Sequence, residues 1–202
     1  ILLAHGYTMN RSAMFVLRAR LQNRGYRNVY AINLRPIFGS IAMIGGRLET
    51  EIRAIATIAK QPVVCVGHSM GGIVLRWCVN NSSDLPVAKV ITLASPHEGT
   101  RLAVLGLGDN AKELRCGSSF LTKLNEGPLH ALSIYSLLDN MVIPAESAAR
   151  AERRVQFLDQ GHLTLSFSRA AFEAVVGELP RLRFVAANPD ARPESPTGTP
   201  LN

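Results

Sequence analysis

One serine of the chain has the sequence surroundings of a catalytic nucleophile. The apolar run at 63–66 leads into Gly67-His68-Ser69-Met70-Gly71, and a helical pattern follows directly. A Gly-x-Ser-x-Gly pentapeptide between a strand and a helix lifts the serine hydroxyl above the sheet edge on a sharp turn. Glycines suit the flanking positions because side chains there would collide with neighbouring elements. We identify Ser69 as the candidate nucleophile; the alternative is a glycine-rich turn that only joins a strand to a helix.

A serine hydroxyl reacts poorly near neutral pH, so Ser69 requires a general base and an acid that orients the base. With this turn the expected chain order is serine, acid, histidine. His162 fits that order because it follows the last predicted strand and precedes the final helix. The other histidines precede Ser69, precede any acid-bearing strand, or lie at the opposite edge of the sheet: His5, His68, His97 and His130.

Two carboxylates are candidates for orienting His162. Asp139 follows a predicted strand at 132–137, so it lies at the same edge of the sheet as Ser69. Asp159 is three residues from His162 and is expected to cap or solvate its own loop. The carboxylate must hold the imidazole tautomer and stabilise the imidazolium without taking the proton. We predict Asp139 for this role and keep Asp159 as the alternative.

A tetrahedral intermediate needs two backbone N–H groups where its negative oxygen develops. Met70, directly after the candidate nucleophile, is predicted to supply one. The other is expected from the loop after the first strand, where His5-Gly6-Tyr7 follows the apolar residues 1–4. The backbone N–H of Tyr7 is the predicted second donor.

All these residues require a parallel sheet that presents them at its carboxyl edge. Short apolar runs alternate with helical patterns, which is typical of repeated βα units. The segment 37–46 is predicted to be an irregular surface loop. The fold class is therefore α/β, with a mostly parallel central sheet of about six strands and helices on both faces. Strands are predicted at 1–4, 29–34, 63–66, 87–93, 132–137 and 155–158, and helices at 11–24, 48–59, 71–80 and after Ser168.

Composition and charge narrow the class of protein. With 202 residues, 47% of them apolar, the chain suits one globular domain, predicted at 1–179. Proline and polar residues predominate at 180–202, which is predicted to be a disordered tail. The net charge of +7 is scattered without a basic and aromatic stripe, so no nucleic-acid partner is expected. A weak contact with an anionic membrane surface fits the same charge.

Neither a membrane span nor a signal peptide is recognised in the sequence. The chain starts on strand-like residues without an initiator methionine, which is typical of a fragment or a processed form. The compartment and the oligomeric state therefore stay open. Cys65, Cys78 and Cys116 are expected to be free thiols, since they lack metal-binding or redox spacing.

The chain resembles the lipase and esterase branch of the α/β-hydrolase superfamily, and especially small bacterial lipases with little or no lid. The resemblance covers nearly everything from Ile1 to about Leu179. It implies an α/β-hydrolase fold, a Ser69–His162–Asp139 triad, an oxyanion hole of the Tyr7 and Met70 amides, and neither cofactor nor metal ion. The segments that carry the resemblance are 3–7, 67–72, 90–100, 135–142 and 161–162.

The segment between Leu93 and Leu132 stands where larger lipases have a lid. Its apolar residues form either a small cap with an acyl-binding wall or packing under a loop, and both alternatives stay open. Leu102 and Leu105 of this segment, together with Val142, are the candidate substrate contacts.

The expected reaction is hydrolysis of a small-molecule acyl ester or a lipid through an acyl-enzyme on Ser69. Acyl transfer, thioester cleavage and phospholipid acyl hydrolysis use the same residues and are the alternatives. A non-catalytic binding module on the same fold is a further alternative, which the intact set of nucleophile, base and acid disfavours.

Overall fold

The computed structural model describes residues 1–127 and 129–180. In these residues six parallel strands form one sheet in the order β2-β1-β3-β4-β5-β6. The chain passes from β1 to β2 on one side of β1 and then crosses to β3 on its other side. At this reversal of strand order a crevice opens outside the carboxyl ends of β1 and β3. The predicted α/β class and parallel sheet are confirmed. The strands are β1 (Leu2–Ala4), β2 (Tyr30–Ile32), β3 (Val63–His68), β4 (Val87–Leu93), β5 (Ala131–Ser136) and β6 (Arg153–Phe157).

Seven α-helices and three 3-10 turns connect the strands in the described residues. The helices are α1 (Phe15–Asn23), α2 (Ile41–Ala59), α3 (Met70–Asn81), α4 (Gly108–Glu113), α5 (Ser119–Leu124), α6 (His162–Phe167) and α7 (Arg169–Gly177). The 3-10 turns are Arg11–Met14, Arg101–Leu105 and Ala145–Ala149. The helix predicted at 11–24 is therefore split, and its first turn is 3-10.

Alternating side chains of the strands divide the core into two layers. In β3, Val63 and Cys65 pack with the buried faces of α2 and α3, whereas Val64 and Val66 pack with α1, α6 and α7. This alternation follows from the two-residue period of a strand. Helices consequently cover both faces of the sheet, as predicted. The sheet is buried on both sides and serves as a rigid support for the loops at its carboxyl edge.

The prediction of an irregular loop at 37–46 is wrong in its second half, because α2 begins at Ile41. The Oγ atom of Ser40 accepts a hydrogen bond from the backbone N–H of Met43 at 3.2 Å. The Glu113 carboxylate accepts another from the N–H of Ile41 at 2.6 Å. The two consecutive glycines of this segment suggested a loop, but Gly45 lies against the Trp77 ring, where a side chain would collide. Close helix packing thus explains a glycine that propensity alone assigns to a loop.

None of the described helices combines the length and the apolarity that crossing a membrane requires. The tail predicted to be disordered lies outside the described residues, apart from Pro180.

The cap of α2 should contribute measurably to stability. Ser40→Ala removes the acceptor for the N–H of Met43, and we expect the free energy of unfolding to fall by about 1 kcal/mol. Urea denaturation followed by circular dichroism measures the change. Ser40→Asn keeps a capping oxygen and should remain close to wild type; equal losses in both variants would contradict a capping role.

Candidate active site

Ser69 lies on a strained turn between β3 and α3. Its backbone angles are φ 54° and ψ −125°, a region that residues other than glycine rarely adopt. The strain is held by hydrogen bonds on both sides: the Ser69 N–H donates to the Leu93 carbonyl at 2.8 Å, and the Ser69 carbonyl accepts from the Gly72 N–H at 3.1 Å. Such strain persists only where the surroundings over-determine it and is concentrated at functional sites.

The two outer glycines of the pentapeptide allow the turn to approach its neighbours. A Cβ atom on Gly67 would lie 2.5 Å from the backbone nitrogen of Gly72. A Cβ atom on Gly71 would lie 2.5 Å from the carbonyl oxygen of Ala4, at the end of β1. Both positions therefore exclude any side chain, and the first turn of α3 packs directly on the end of β1.

Asp139 and His162 form a buried hydrogen-bonded pair. The Nδ1 atom of His162 lies 2.9 Å from Oδ2 and 3.1 Å from Oδ1 of Asp139. The backbone N–H groups of Met141 and Val142 each donate to Asp139 Oδ1 at 2.8 Å. Burial works to raise the pKa of the Asp139 carboxyl, but hydrogen bonding and charge from His162, with the two amides, hold it below its usual value. An ionised Asp139 keeps the proton of His162 on Nδ1 and leaves the Nε2 lone pair as the base.

Both backbone polar groups of His162, its N–H and its carbonyl, form hydrogen bonds with side chains. Its N–H donates to the side-chain oxygen of Asn140 at 3.1 Å. Its carbonyl accepts a hydrogen bond from Nε2 of His68 at 3.2 Å, and the centroids of the two rings are 4.8 Å apart. Burial first, and the charge of His162 second, lower the pKa of His68 to about 4. His68 is therefore a neutral side chain that ties the turn of Ser69 to the loop of His162.

The loop after β1 lies beside Ser69 and is oriented by His5. The backbone N–H of Leu34 donates to Nε2 of His5 at 3.0 Å, so this nitrogen carries no proton. Nδ1 must then carry it and donates to the Gly6 carbonyl at 2.9 Å. In a trans peptide the Gly6 carbonyl and the Tyr7 N–H point in opposite directions. His5 thereby fixes the direction of the Tyr7 N–H, while a Cβ atom on Gly6 would lie 3.0 Å from Cβ of Ser69.

Met70, the other predicted oxyanion donor, is the first residue of α3. The first N–H groups of a helix have no acceptor within the helix, and the helix dipole adds partial positive charge there. The structure thus brings the turn of Ser69, the Asp139–His162 pair and the loop of Tyr7 to one edge of the sheet.

The predicted substrate contacts differ in their surroundings. Leu105 is 79% exposed, and Leu102 is half-buried on the same 3-10 turn. Val142 is only 1% exposed, because its side chain packs with Tyr135 and Ala148 behind the Asp139 loop. It offers almost no surface to a substrate. Between Leu93 and Leu132, the apolar residues Val104, Leu105 and Leu107 are exposed, whereas Leu114 and Leu121 belong to the core.

Three of the rejected candidates, Asp159, His130 and His97, lie outside this site. Asp159 is exposed and hydrogen bonds to the side chain of Gln160 rather than to His162. His130 is exposed and pairs with Glu152 at 3.1 Å. His97 is buried, with its Nε2 3.1 Å from the hydroxyl of Thr92, and burial lowers its pKa to about 3.

The sequence excluded His5 and His68 as the base and indicated no other role for them, and it did not point to Asn140. The available signal was their position: His5 directly precedes Gly6, His68 directly precedes Ser69, and Asn140 directly follows Asp139. The described residues contain no cluster of three or more histidine, cysteine or acidic side chains placed to bind a metal. Among the thiols, Cys65 and Cys78 are buried and Cys116 is exposed.

A parallel sheet that carries a strained serine turn at its switch point, with a buried histidine–aspartate pair beside it, defines a protein of the α/β-hydrolase class. The family model described as "Alpha/beta hydrolase family" matches residues 1–199. The chain therefore belongs to the alpha/beta hydrolase family. No curated protein matches the chain.

Several solved structures are similar to this fold at low sequence identity. Lipase B of Aspergillus fumigatus superimposes with a TM-score of 0.76 at 16% identity, over 87% of this chain and 51% of that one. The mature form of a Bacillus licheniformis lipase gives a TM-score of 0.69 at 18% identity, over 87% of this chain and 89% of that one. The phospholipase PlaB of Legionella pneumophila gives 0.56 at 22% identity, over 62% and 32%. The chain thus spans about half the length of the Aspergillus lipase and a third of the Legionella phospholipase.

The lowered pKa values of the buried histidines predict that the folded protein loses stability in mild acid. The pKa of His68 is lowered to about 4 and that of His97 to about 3, whereas unfolded histidine titrates near 6.5. Below about pH 6.5 the unfolded chain therefore binds more protons than the folded one, and stability falls as the pH decreases. We expect the free energy of unfolding to drop between about pH 6.5 and 4.5 by up to about 1.4 kcal/mol per pH unit for each histidine.

Urea titrations at several pH values across this range measure the drop. Asp139 affects stability at lower pH. Because its pKa is depressed, the stability that it contributes is lost only as the pH falls below about 4. A stability that stays constant or rises between about pH 6.5 and 4.5 would contradict the neutral state of the buried histidines.

Proposed function

We propose that the protein is a serine hydrolase that cleaves carboxylic esters through an acyl-enzyme on Ser69. The observation that carries the proposal is the buried Asp139–His162 pair, in which Nδ1 is bound to the carboxylate and Nε2 is left as a base. The pair lies at the carboxyl edge that also carries Ser69, and His68 links the two directly.

In the proposed reaction the Ser69 hydroxyl attacks the acyl carbonyl and its proton moves to Nε2 of His162. The carbonyl oxygen becomes negative and is stabilised by the N–H groups of Met70 and Tyr7. Collapse of this intermediate breaks the ester bond, and His162 returns the proton to the leaving alcohol. Water then attacks the acyl-enzyme by the same steps and releases the carboxylic acid.

Asp139 contributes without changing its own protonation. It fixes the imidazole tautomer and stabilises the positive charge that His162 carries in both steps. The N–H groups of Met141 and Val142 support the carboxylate in this role, because they favour its ionised form. No residue of this mechanism requires a cofactor.

An acyl ester or a lipid is the substrate class that the surroundings favour. Several structural neighbours are lipases, and exposed apolar residues such as Leu105 lie on the loop after β4, at the same sheet edge as Ser69. Short-chain and long-chain p-nitrophenyl esters, tested side by side, give the acyl preference. We expect Ser69→Ala to lose ester turnover by several orders of magnitude; unchanged turnover would overturn the proposal.

The two candidate acids give a matched test of the mechanism. Asp139→Asn removes the charge that holds the His162 tautomer, and we expect kcat to fall by about 10²–10⁴-fold. Asp159→Asn makes the same chemical change at an exposed site without contact to His162 and should leave kcat within about twofold. Steady-state kinetics on one ester compares the two variants, and equal losses would contradict the assignment of Asp139.

His5 should act as a positioning residue of the oxyanion hole. His5→Leu removes the bond to the Gly6 carbonyl, and we expect kcat to fall by about 10–10³-fold with KM nearly unchanged. A phosphonate that mimics the tetrahedral intermediate should react more slowly by a similar factor. His97→Leu alters an equally buried histidine outside the site and serves as the control for general destabilisation. An equal fall of kcat in the His97→Leu variant would contradict a positioning role of His5.

A further inference from the structure

The exposed large apolar side chains of the described residues are concentrated at the edge of the sheet that carries Ser69. Six of them lie on loops that follow the carboxyl ends of β2, β4, β5 and β6, and each of these six is between 47% and 69% exposed. Single exposed apolar residues are ordinary, but a contiguous group of them marks an interaction surface. We name as the apolar rim the residues Phe38, Val104, Leu107, Leu138, Met141 and Leu158.

On one side of the site, Tyr7 connects the loops that carry the rim residues Phe38 and Leu107. The Tyr7 hydroxyl donates to the carbonyl of Leu107 at 2.8 Å and accepts from its N–H at 2.7 Å. The rings of Tyr7 and Phe38 are 6.4 Å apart, and the Phe38 carbonyl accepts from the N–H of Asp109 at 2.9 Å. The loops after β1, β2 and β4 therefore form one continuous surface.

On the other side, the loops after β4, β5 and β6 are joined in the same way. The Thr100 hydroxyl donates to the carbonyl of Met141 at 2.7 Å. The N–H of Leu137, beside Leu138, donates to the carbonyl of Phe157 at 3.0 Å, beside Leu158. The loops that carry the apolar rim thus lie on both sides of the crevice.

Arginines accompany the apolar rim. Arg11, Arg35 and Arg101 are exposed on the loops after β1, β2 and β4. Within residues 1–127 and 129–180, none of the three forms an ion pair. Asp109, an acidic residue of the same edge, is paired with Lys112 at 3.0 Å. Among the described residues of these loops, the exposed carboxylates that form no ion pair are Asp159, beside Leu158, and Glu146. In the part of the chain that the structure describes, the edge therefore presents apolar side chains together with three unpaired arginines, which outnumber its unpaired carboxylates.

We propose that the apolar rim docks on an anionic lipid–water interface. Apolar side chains can enter the acyl region while arginines bind the headgroup phosphates. A lipid surface fits better than a protein partner, because a protein seated on the rim would cover the entrance to Ser69, whereas a lipid layer delivers acyl esters to it. The inference rests on the proposed function only for this last point; the binding itself is independent of catalysis.

Ile58 provides a matched control for the apolar contribution. It is 72% exposed near the end of α2, whereas the rim residues Val104 and Leu158 are 60% and 65% exposed. Because α2 starts at the loop after β2 and runs over 19 residues, Ile58 lies roughly 25 Å along the helix from that edge.

The test is sedimentation of the Ser69→Ala protein with phosphatidylcholine vesicles, prepared with and without phosphatidylglycerol. We expect stronger binding to the anionic vesicles and a loss that increases with salt. When Val104→Ser and Leu158→Ser are both added to the Ser69→Ala protein, the partition coefficient should fall at least about tenfold. Adding Ile58→Ser instead should leave it unchanged. Arg101→Gln should lower it about fivefold on anionic vesicles only.

Equal binding by all variants, an equal loss with Ile58→Ser, or no binding to either vesicle would overturn the proposal. A dimer in sedimentation analysis that the Val104 and Leu158 changes dissociate would point to a second protein copy instead. With Ser69 intact, Val104→Ser and Leu158→Ser should keep turnover of a water-soluble short-chain ester within about twofold. Failure of the proposed function would appear as an active Ser69→Ala enzyme, and failure of docking as vesicle binding that these changes do not reduce.

Discussion

The close approach between β1 and the first turn of α3 is the constraint on which the site depends. It is possible only because Gly71 lacks a side chain, since a Cβ atom there would lie 2.5 Å from the Ala4 carbonyl. The same approach brings Ser69 beside Gly6, whose peptide carries the Tyr7 N–H, while hydrogen bonds with Leu93 and Gly72 hold Ser69 in its strained conformation. The proposed nucleophile and the proposed oxyanion loop are therefore positioned by one backbone contact, and the parallel sheet supplies the rigidity that holds it.

The proposed mechanism also requires a base whose tautomer is fixed by protein groups in a site closed to water. Asp139 and His162 are both nearly inaccessible to water, so an unpaired charge at either would be strongly destabilising. The amides of Met141 and Val142 satisfy the carboxylate, and Asn140 and His68 hold the backbone of His162. His68 remains neutral because burial disfavours its charged form, so it can donate to the His162 carbonyl without adding positive charge beside the base.

Much of this arrangement follows from sequence because it rests on local rules. The apolar run before Gly67 and the helical pattern after it predicted the turn at Ser69, and β4 was predicted with the observed bounds, Val87–Leu93. Chain order selected His162, the end of a predicted strand selected Asp139, and the structure places the two side chains in contact. What sequence did not predict depends on contacts distant in the chain: the start of α2 is set by Ser40 together with Glu113, and the burial of Val142 by packing against Tyr135 and Ala148. The roles of His5 and His68 likewise require knowing that Leu34 and His162 lie opposite their rings.

The proposed mechanism requires that Ser69 alone among the serines is activated. Its most direct test is reaction of the native protein with a fluorophosphonate, followed by peptide mass spectrometry to locate the adduct. We expect one phosphonyl group per chain on the peptide that contains Ser69. Labelling should be lost when the protein is unfolded before the reaction, since activation depends on the folded site. Absence of an adduct, or an adduct on another serine, would contradict the proposed mechanism.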